Sequence, residues 1–341
     1  MNHLLTEGDL LDENGNLNEA GFSYSLVKKY DRSKIKAGKL RIKEWDYYYI
    51  GNDKYGLALT IDDNAYMTMV SFSFLDFVNK KDITKSEMKL LTKKRITFPS
   101  TSKEGNVSVY YNEKAYLTFE NDGKIRHLHG AFVGFDGNKE LMVDCFLEET
   151  SDKSMVIATP FEKKGHFYYN QKINCLKASG SFMIGEDEYS LEDCYGVLDW
   201  GRGVWTYKNT WYWSSLSACV DGMNIGFNLG YGFGDTSKAS ENMLFFDNDA
   251  IKLDDCVFNI PQKNNKDDFL NEWSIESKSE RAKIDLKFKP ILNRHAYINV
   301  IILKSNQNQV FGVFNGNINV NGKEYKINNL TGFCEKVYNK W

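Results

Sequence analysis

Period-two alternation, broken at short intervals by tight-turn dipeptides, constrains this 341-residue chain more than any other feature. Apolar and polar residues alternate in Trp45-Asp46-Tyr47-Tyr48-Tyr49-Ile50 and in the stretches 69–74, 107–110, 115–119 and 296–301. Successive side chains of a strand point to opposite faces, so such runs of aromatic and β-branched residues read as half-buried strands. Between them lie Asn121-Asp122-Gly123, Asp136-Gly137, Asp221-Gly222 and Asn321-Gly322, which supply the positive φ angles of tight hairpins. Helical candidates are confined to 17–29, 86–94 and 267–272. The expected fold is all-β and mostly antiparallel, with a few short helices.

An internal repeat sharpens that expectation. Gly180-Ser181-Phe182-Met183-Ile184, continuing through Glu188-Tyr189-Ser190-Leu191 to Gly196-Val197, matches Gly316-Asn317-Ile318-Asn319-Val320, Glu324-Tyr325-Lys326-Ile327 and Gly332-Phe333 without a gap, at an offset of 136. The four prolines pair as Pro99 with Pro261 and Pro160 with Pro290, and Trp45-Asp46-Tyr47 leading to Asp62 echoes Trp205-Thr206-Tyr207 leading to Asp221. These matches predict a tandem duplication: residues 1–197 as an N-terminal β domain with a helical N-terminal segment, and 198–341 as a C-terminal β domain. Closure of each half into a barrel or sandwich would remove exposed strand edges, and a barrel of about eight strands can hold one small ligand.

Charge excludes some functions. With 43 Lys+Arg against 46 Asp+Glu the net charge is −3, and the Lys clusters, such as Lys28-Lys29 and Lys93-Lys94-Arg95, are short and scattered, so no phosphate-tracking surface is expected and nucleic acid is no partner. The longest apolar runs, Val300-Ile301-Ile302-Leu303 and Met155-Val156-Ile157-Ala158, fall far short of the ~18 residues of a membrane-spanning helix. The first residues carry no basic, apolar leader, and the six cysteines form no Cys-x-x-Cys pair, so reduced thiols and a cytoplasmic location are expected. Aromatics are abundant: 7 Trp, 20 Tyr and 22 Phe, enough to fill a large core or to line a cavity.

Residues 196–246 are the densest. Gly196-Val197-Leu198-Asp199-Trp200-Gly201-Arg202-Gly203-Val204-Trp205 is followed by Trp211-Tyr212-Trp213, then Asn228-Leu229-Gly230-Tyr231-Gly232-Phe233-Gly234-Asp235 and Glu241-Asn242. On a strand Asp199, Gly201, Gly203 and Trp205 share one face, while Trp200, Arg202 and Val204 share the other. That geometry offers Asp199 and Trp205 to a cavity with Arg202 anchored behind. Glycines on both sides of Arg202 leave room for a group to approach the backbone or for a sharp bend. The Gly-rich run at 230–234 lacks the helix pattern of a nucleotide-binding loop.

This segment, with Leu10-Leu11-Asp12-Glu13-Asn14-Gly15-Asn16-Leu17 and Lys43-Glu44-Trp45-Asp46-Tyr47-Tyr48-Tyr49, resembles the bacterial family catalogued as domain of unknown function 2804 over essentially the whole chain. More remotely, Asp199-Trp200-Gly201, the following tryptophans and Asp221-Gly222 look like the second half of the tandem lipocalin-like proteins that include carotenoid hydratases and some Diels-Alderases. The resemblance implies two lipocalin-like β-barrel or sandwich domains and an apolar, isoprenoid-, lipid- or polyketide-like ligand; it carries no catalytic assignment, and no cofactor is expected.

The leading expectation is therefore a protein that binds an apolar small molecule through Trp45, Tyr47, Trp200, Arg202, Trp205, Trp211, Trp213, Asn228, Tyr231 and Glu241. An alternative is a hydratase or cyclase with Asp199 as the acid, aromatic faces stabilising the cation that protonation creates. The same Asp199 could instead serve only as a structural partner of Arg202. A third reading is a carbohydrate-binding or hydrolytic module in which Asp199, Asp235 and Glu241 converge. His127-Leu128-His129 has metal-ligand spacing and would need His166, Asp144 or Glu148 as a third ligand; a surface or hydrogen-bonded pair is the expected outcome, with no metal.

Overall fold

The computed structural model describes residues 3–90, 96–111, 113–300 and 303–340. An N-terminal strap carries β1 (Gly8–Asp9), β2 (Gly21–Ser23), β3 (Lys28–Lys29) and two single-turn 3₁₀ helices, Arg32–Lys34 and Lys39–Arg41. Then follow β4 (Ile42–Gly51), β5 (Tyr55–Asp63), β6 (Met67–Asp76), β7 (Lys81–Leu90), β8 (Gly105–Tyr111), β9 (Ala115–Asn121), β10 (Ile125–Asp136), β11 (Lys139–Glu148), β12 (Met155–Pro160), β13 (Phe167–Ile184), β14 (Asp187–Ser190) and β15 (Tyr195–Val204). The remainder comprises β16 (Lys208–Val220), β17 (Met223–Tyr231), β18 (Met243–Phe246), β19 (Asp249–Lys252), β20 (Cys256–Asn259), β21 (Gln262–Lys263), β22 (Lys266–Asp267), β23 (Trp273–Lys278), β24 (Ala282–Val300), β25 (Leu303–Val320) and β26 (Lys323–Lys340).

Two sheets account for almost all of this. The first runs β7-β6-β5-β4-β15-β13-β11-β10-β9-β8, with β12 and β14 on β13 and β2 on β12, and it curls until β7 lies against β10 as a nearly closed barrel. The second, a half-barrel, runs β19-β18-β17-β16-β26-β25-β24-β23-β20. Each has its own core: Tyr48, Ile50, Leu198, Trp200 and Phe182 fill the first, and Phe227, Trp273, Phe288 and Phe314 the second. β11 shows the simple alternation of a strand with one wet face. β13 is buried over its first ten residues because both its faces are covered. Residues of the opposite faces, among them Tyr49, Phe77, Phe311 and Phe333, pack where the two sheets meet.

The strand orders correspond. β4-β15-β13-β11 in the first sheet matches β16-β26-β25-β24 in the second, with β24 in the place of β11 plus β12, and β26 in that of β14 plus β15. Gly180 and Gly316, the first pair of the repeat, both hold positive φ, and at both a Cβ would strike a carbonyl of the neighbouring strand, Asp144 O or Asp285 O, at 2.5 or 2.4 Å. The expected joint at 197/198 lies within β15; the first sheet ends at Val204 and the second begins at Lys208.

Two alignments of the repeat change. Pro160 ends β12, whereas Pro290 sits at a register shift inside β24, so these prolines occupy different places. With the 136 offset placing Asp199 on Glu335, the register partners Tyr47 and Trp213 correspond, so Trp45-Asp46-Tyr47 matches Trp211-Tyr212-Trp213 and not 205–207.

No α-helix occurs among the described residues, and the three helical candidates are extended or turned. In 17–29, Leu17 and Val27 pack on the first barrel's core while Phe22 enters a different cluster beneath the second sheet; one helical face cannot serve both. That segment pairs with β12 instead. Residues 86–90 belong to edge strand β7, where Lys81, Lys85 and Lys89 keep the edge polar, and 91–94 lie outside the described residues. At 267–272, Asp267 closes the small β21–β22 hairpin and the rest is a turn. All six cysteines are free, and no helix among the described residues is long and apolar enough to cross a membrane.

Candidate functional site

Alternation decides which residues face the gap between the sheets. On β15, Trp200 points into the first barrel, so Asp199 points out; on β16, Tyr212 joins the second core, so Trp211 and Trp213 point back. The outer faces enclose a cavity of ≈ 420 Å³. Trp45 and Tyr47 of β4, Tyr168 and Lys172 of β13, Asp199 of β15, Trp205, Trp211 and Trp213, Tyr231, Phe233 and Glu241, Arg294 of β24, Gln309 of β25 and Glu335 of β26 line it.

The aromatic wall is built around Trp205, which meets Trp45 edge-on at 5.2 Å, Trp211 at 5.8 Å and Phe233 at 4.8 Å between ring centroids. Tyr168 stacks on Trp45 at 5.9 Å. The bare backbone of Gly201 makes this possible: a Cβ there would lie 1.9 Å from the Trp45 ring. The group that approaches the glycine is thus a side chain of the same protein. Gly201→Ala is expected to displace Trp45 and destabilise the protein by about 1–3 kcal/mol, the usual cost of overpacking; an unchanged melting temperature and near-ultraviolet circular dichroism spectrum would contradict this.

At the polar end the two halves interlock through counterpart positions. Asp199 lies in register with Tyr47 and Lys172; Glu335 lies in register with Trp213 and Gln309. Lys172 Nζ is 2.7 Å from Asp199 Oδ2 and sits 3.8 Å from the centroid of the Trp213 ring, across the gap. The Asn170 amide donates to Asp199 Oδ1 at 2.6 Å, so both oxygens of this carboxylate already accept. Tyr47 Oη lies 3.3 Å from the Gln309 side-chain amide. Trp211 Nε1 donates to Glu335 Oε1 at 2.8 Å.

Burial pushes the Glu335 carboxyl up to about 7, against the opposing pull of the Trp211 N–H, Arg294 and Lys172. Desolvation also raises Glu241, with Lys172 opposing it. The cavity therefore combines aromatic faces with a carboxyl raised far enough to be partly protonated at neutral pH, an arrangement suited to proton delivery.

Of the ten residues expected to bind ligand, Trp45, Tyr47, Trp205, Trp211, Trp213, Tyr231 and Glu241 line the cavity, as does Asp199. Three lie behind it. Trp200 is inside the first barrel, edge-on to Tyr30 and Tyr169. Arg202, fully buried, spans Asp46 Oδ1 at 2.9 Å, Trp45 O at 2.8 Å and Pro99 O at 3.3 Å. Asn228 accepts from Trp213 Nε1 at 2.7 Å and donates to Glu241 O at 2.9 Å, which positions two wall residues. Asp235 caps Ser237 and is not on the wall, so Asp199, Asp235 and Glu241 do not converge. Lys172, Arg294, Gln309 and Glu335 were not singled out from sequence; the 136 offset, carried beyond Gly196 and Gly332, reaches Glu335 from Asp199.

The fold and the family agree with these observations. The chain belongs to the family described as domain of unknown function (DUF2804), whose model matches residues 2–341. Kievitone hydratase from Nectria haematococca has a similar fold: TM-score 0.50, 11% identity, covering 99% of this chain and 98% of that one. A putative AttH (NE1406) from Nitrosomonas europaea gives TM-score 0.45 at 8% identity over 87% and 92% of the two chains, and CghA with Sch210972 gives 0.45 at 8% over 97% of each. The expected tandem lipocalin-like architecture is borne out. No curated protein matches the sequence.

Proposed function

We propose that this protein binds an apolar, unsaturated small molecule, of isoprenoid, lipid or polyketide type, in the cavity between its two sheets. The observation that carries this reading is the cavity itself: ≈ 420 Å³, walled by Trp45, Tyr168, Trp205, Trp211, Trp213 and Phe233, with polar groups such as Lys172, Asp199, Gln309 and Glu335 also on its lining. Such a balance of apolar wall and convergent polar groups is typical of small-molecule sites, which measure about 300–1,000 Å³. The neutral fluorophore N-phenyl-1-naphthylamine should bind and quench tryptophan emission, and native mass spectrometry of gently purified protein should show a discrete apolar adduct. Met69→Trp, which fills the cavity from β6, should abolish both. Neither signal in the wild type, or both retained in Met69→Trp, would overturn the reading.

Glu335 favours catalysis on that ligand as a second reading. A protonated carboxylic acid beside aromatic faces can protonate an alkene or a carbonyl, and the faces then stabilise the cationic character that develops. Hydration or cyclisation of the bound molecule would follow, with Glu335 as the acid in place of Asp199, whose oxygens are both engaged. A pure binder returns its ligand unchanged after incubation; an acid catalyst does not. Free cysteines throughout support a reducing, cytoplasmic setting.

A further inference from the structure

On the outer, solvent-facing side of the first sheet, away from the cavity, four neighbouring side chains form a constellation that the ligand site does not use. His127 and His129 project from the same face of β10, as their i, i+2 spacing requires. Their register partners complete the set: Glu120 on β9 is opposite His127, and Asp144 on β11 is opposite His129. The nearest ligand-type atoms of His127, His129 and Glu120 all lie within 4.8 Å of one another. Glu120 Oε2 is 3.5 Å from His127 Nδ1 and 3.9 Å from His129 Nε2. Ligand atoms about 2.0–2.1 Å from a tetrahedral zinc ion stand roughly 3.3 Å apart, so the two Glu120 contacts are already close to that spacing while the histidine rings must turn to converge.

A second observation concerns His127. Its Nε2 is 2.6 Å from Asp144 Oδ1. Donation of the Nε2 proton to that carboxylate leaves the Nδ1 lone pair directed toward Glu120. A carboxylate behind a histidine is the usual support of a metal-bound imidazole. Stacking orders the rings in the metal-free form, and one imidazole must turn out of the stack to bring its lone pair onto a shared ion. Phe146 lies on His127 at 4.4 Å and 12°, His127 on His129 at 4.6 Å and 29°, and Tyr116 meets His129 edge-on.

We propose that His127, His129 and Glu120 form a divalent transition-metal site, best suited to zinc, with Asp144 as the positioning residue of His127. Imidazole and carboxylate ligands suit a borderline ion such as zinc, and three protein ligands leave a coordination position for water or for an atom supplied from outside. Of the third ligands considered from sequence, His166 is elsewhere, held by its Nδ1 against Trp205 O. Asp144 instead stands behind the first histidine, and the third ligand comes from β9.

The test uses the full chain, freed of metal with a chelator, dialysed and titrated with zinc sulfate by calorimetry, with cobalt(II) absorption as an independent readout of coordination. One equivalent should bind at micromolar zinc, and cobalt should give the visible bands of a low-coordinate site. Asp144→Asn should weaken binding about 10- to 100-fold, as loss of a carboxylate behind a histidine ligand does elsewhere. The His127→Asn/His129→Asn double variant should lose it while keeping its circular dichroism spectrum. Absence of stoichiometric uptake by the wild type would overturn the proposal, as would uptake preserved in the double variant.

Discussion

Replacing Lys172 with methionine is expected to destabilise the protein by about 3–5 kcal/mol, because it strands a carboxylate in a nearly dry site. The Lys172 and Asp199 side chains are 3% and 11% exposed and lie 2.7 Å apart. Removal of one partner forfeits the attraction while retaining the desolvation of the other. The ammonium also rests on the Trp213 face, so the variant loosens the contact between sheets. Asp199→Asn should show a loss of similar size, and the double variant Lys172→Met/Asp199→Asn should recover much of it, since neither charge is then left alone. Chemical denaturation of the four proteins measures this. Additive losses in the double variant would show that the pair is not an interdependent unit. Asp199→Asn retaining wild-type stability would return Asp199 to candidacy as the acid.

Glu335→Gln is expected to stabilise the protein at alkaline pH and to leave it unchanged in acid. The Glu335 carboxyl titrates near 7 in the folded protein against an ordinary 4.5. A raised carboxyl binds its proton more tightly in the native state than in the unfolded chain. Its stabilising contribution is therefore complete below about 4.5 and is lost as pH rises through 7. At about 1.4 kcal/mol per pH unit the difference between the variant and the wild type grows to at most about 3 kcal/mol by pH 8. The groups that set this balance face it from several strands: Trp211 from β16, Arg294 from β24, Lys172 from β13 and Asp199 from β15. Glutamine retains an oxygen for the Trp211 N–H, so the fold is preserved. A stability difference that does not vary between pH 4 and 8 would remove Glu335 as the protonated acid. Loss of ligand turnover with ligand binding intact would confirm it as one.

Much of the architecture was legible in local pattern. Alternation located the strands because it records which face is buried, and the Asn-Gly and Asp-Gly turns marked hairpins that the structure contains, such as Asn321-Gly322 between β25 and β26. The partition of β15 into an outer face with Asp199 and an inner face with Trp200 and Arg202 followed from the same period. The repeat anticipated matching strand orders. Helices were misread where several apolar residues lie close in sequence but serve different cores, as Leu17 and Phe22 do.

What the amino-acid sequence determined by itself was the class of fold, the tandem repeat and the face to which each strand residue belongs, because these depend on backbone period and turn chemistry within a few residues. The cavity and its acid were decided only by tertiary structure. Phe333-Cys334-Glu335-Lys336, two apolar residues followed by two charged ones, gives no sign that Glu335 is covered. Glu335 becomes a carboxyl raised to about 7 because the first sheet covers it, and contacts such as Tyr47 with Gln309, 262 residues apart, set that cover. Desolvation by a distant segment leaves no trace in local sequence, and it is desolvation that separates a surface glutamate from an acid poised in a cavity.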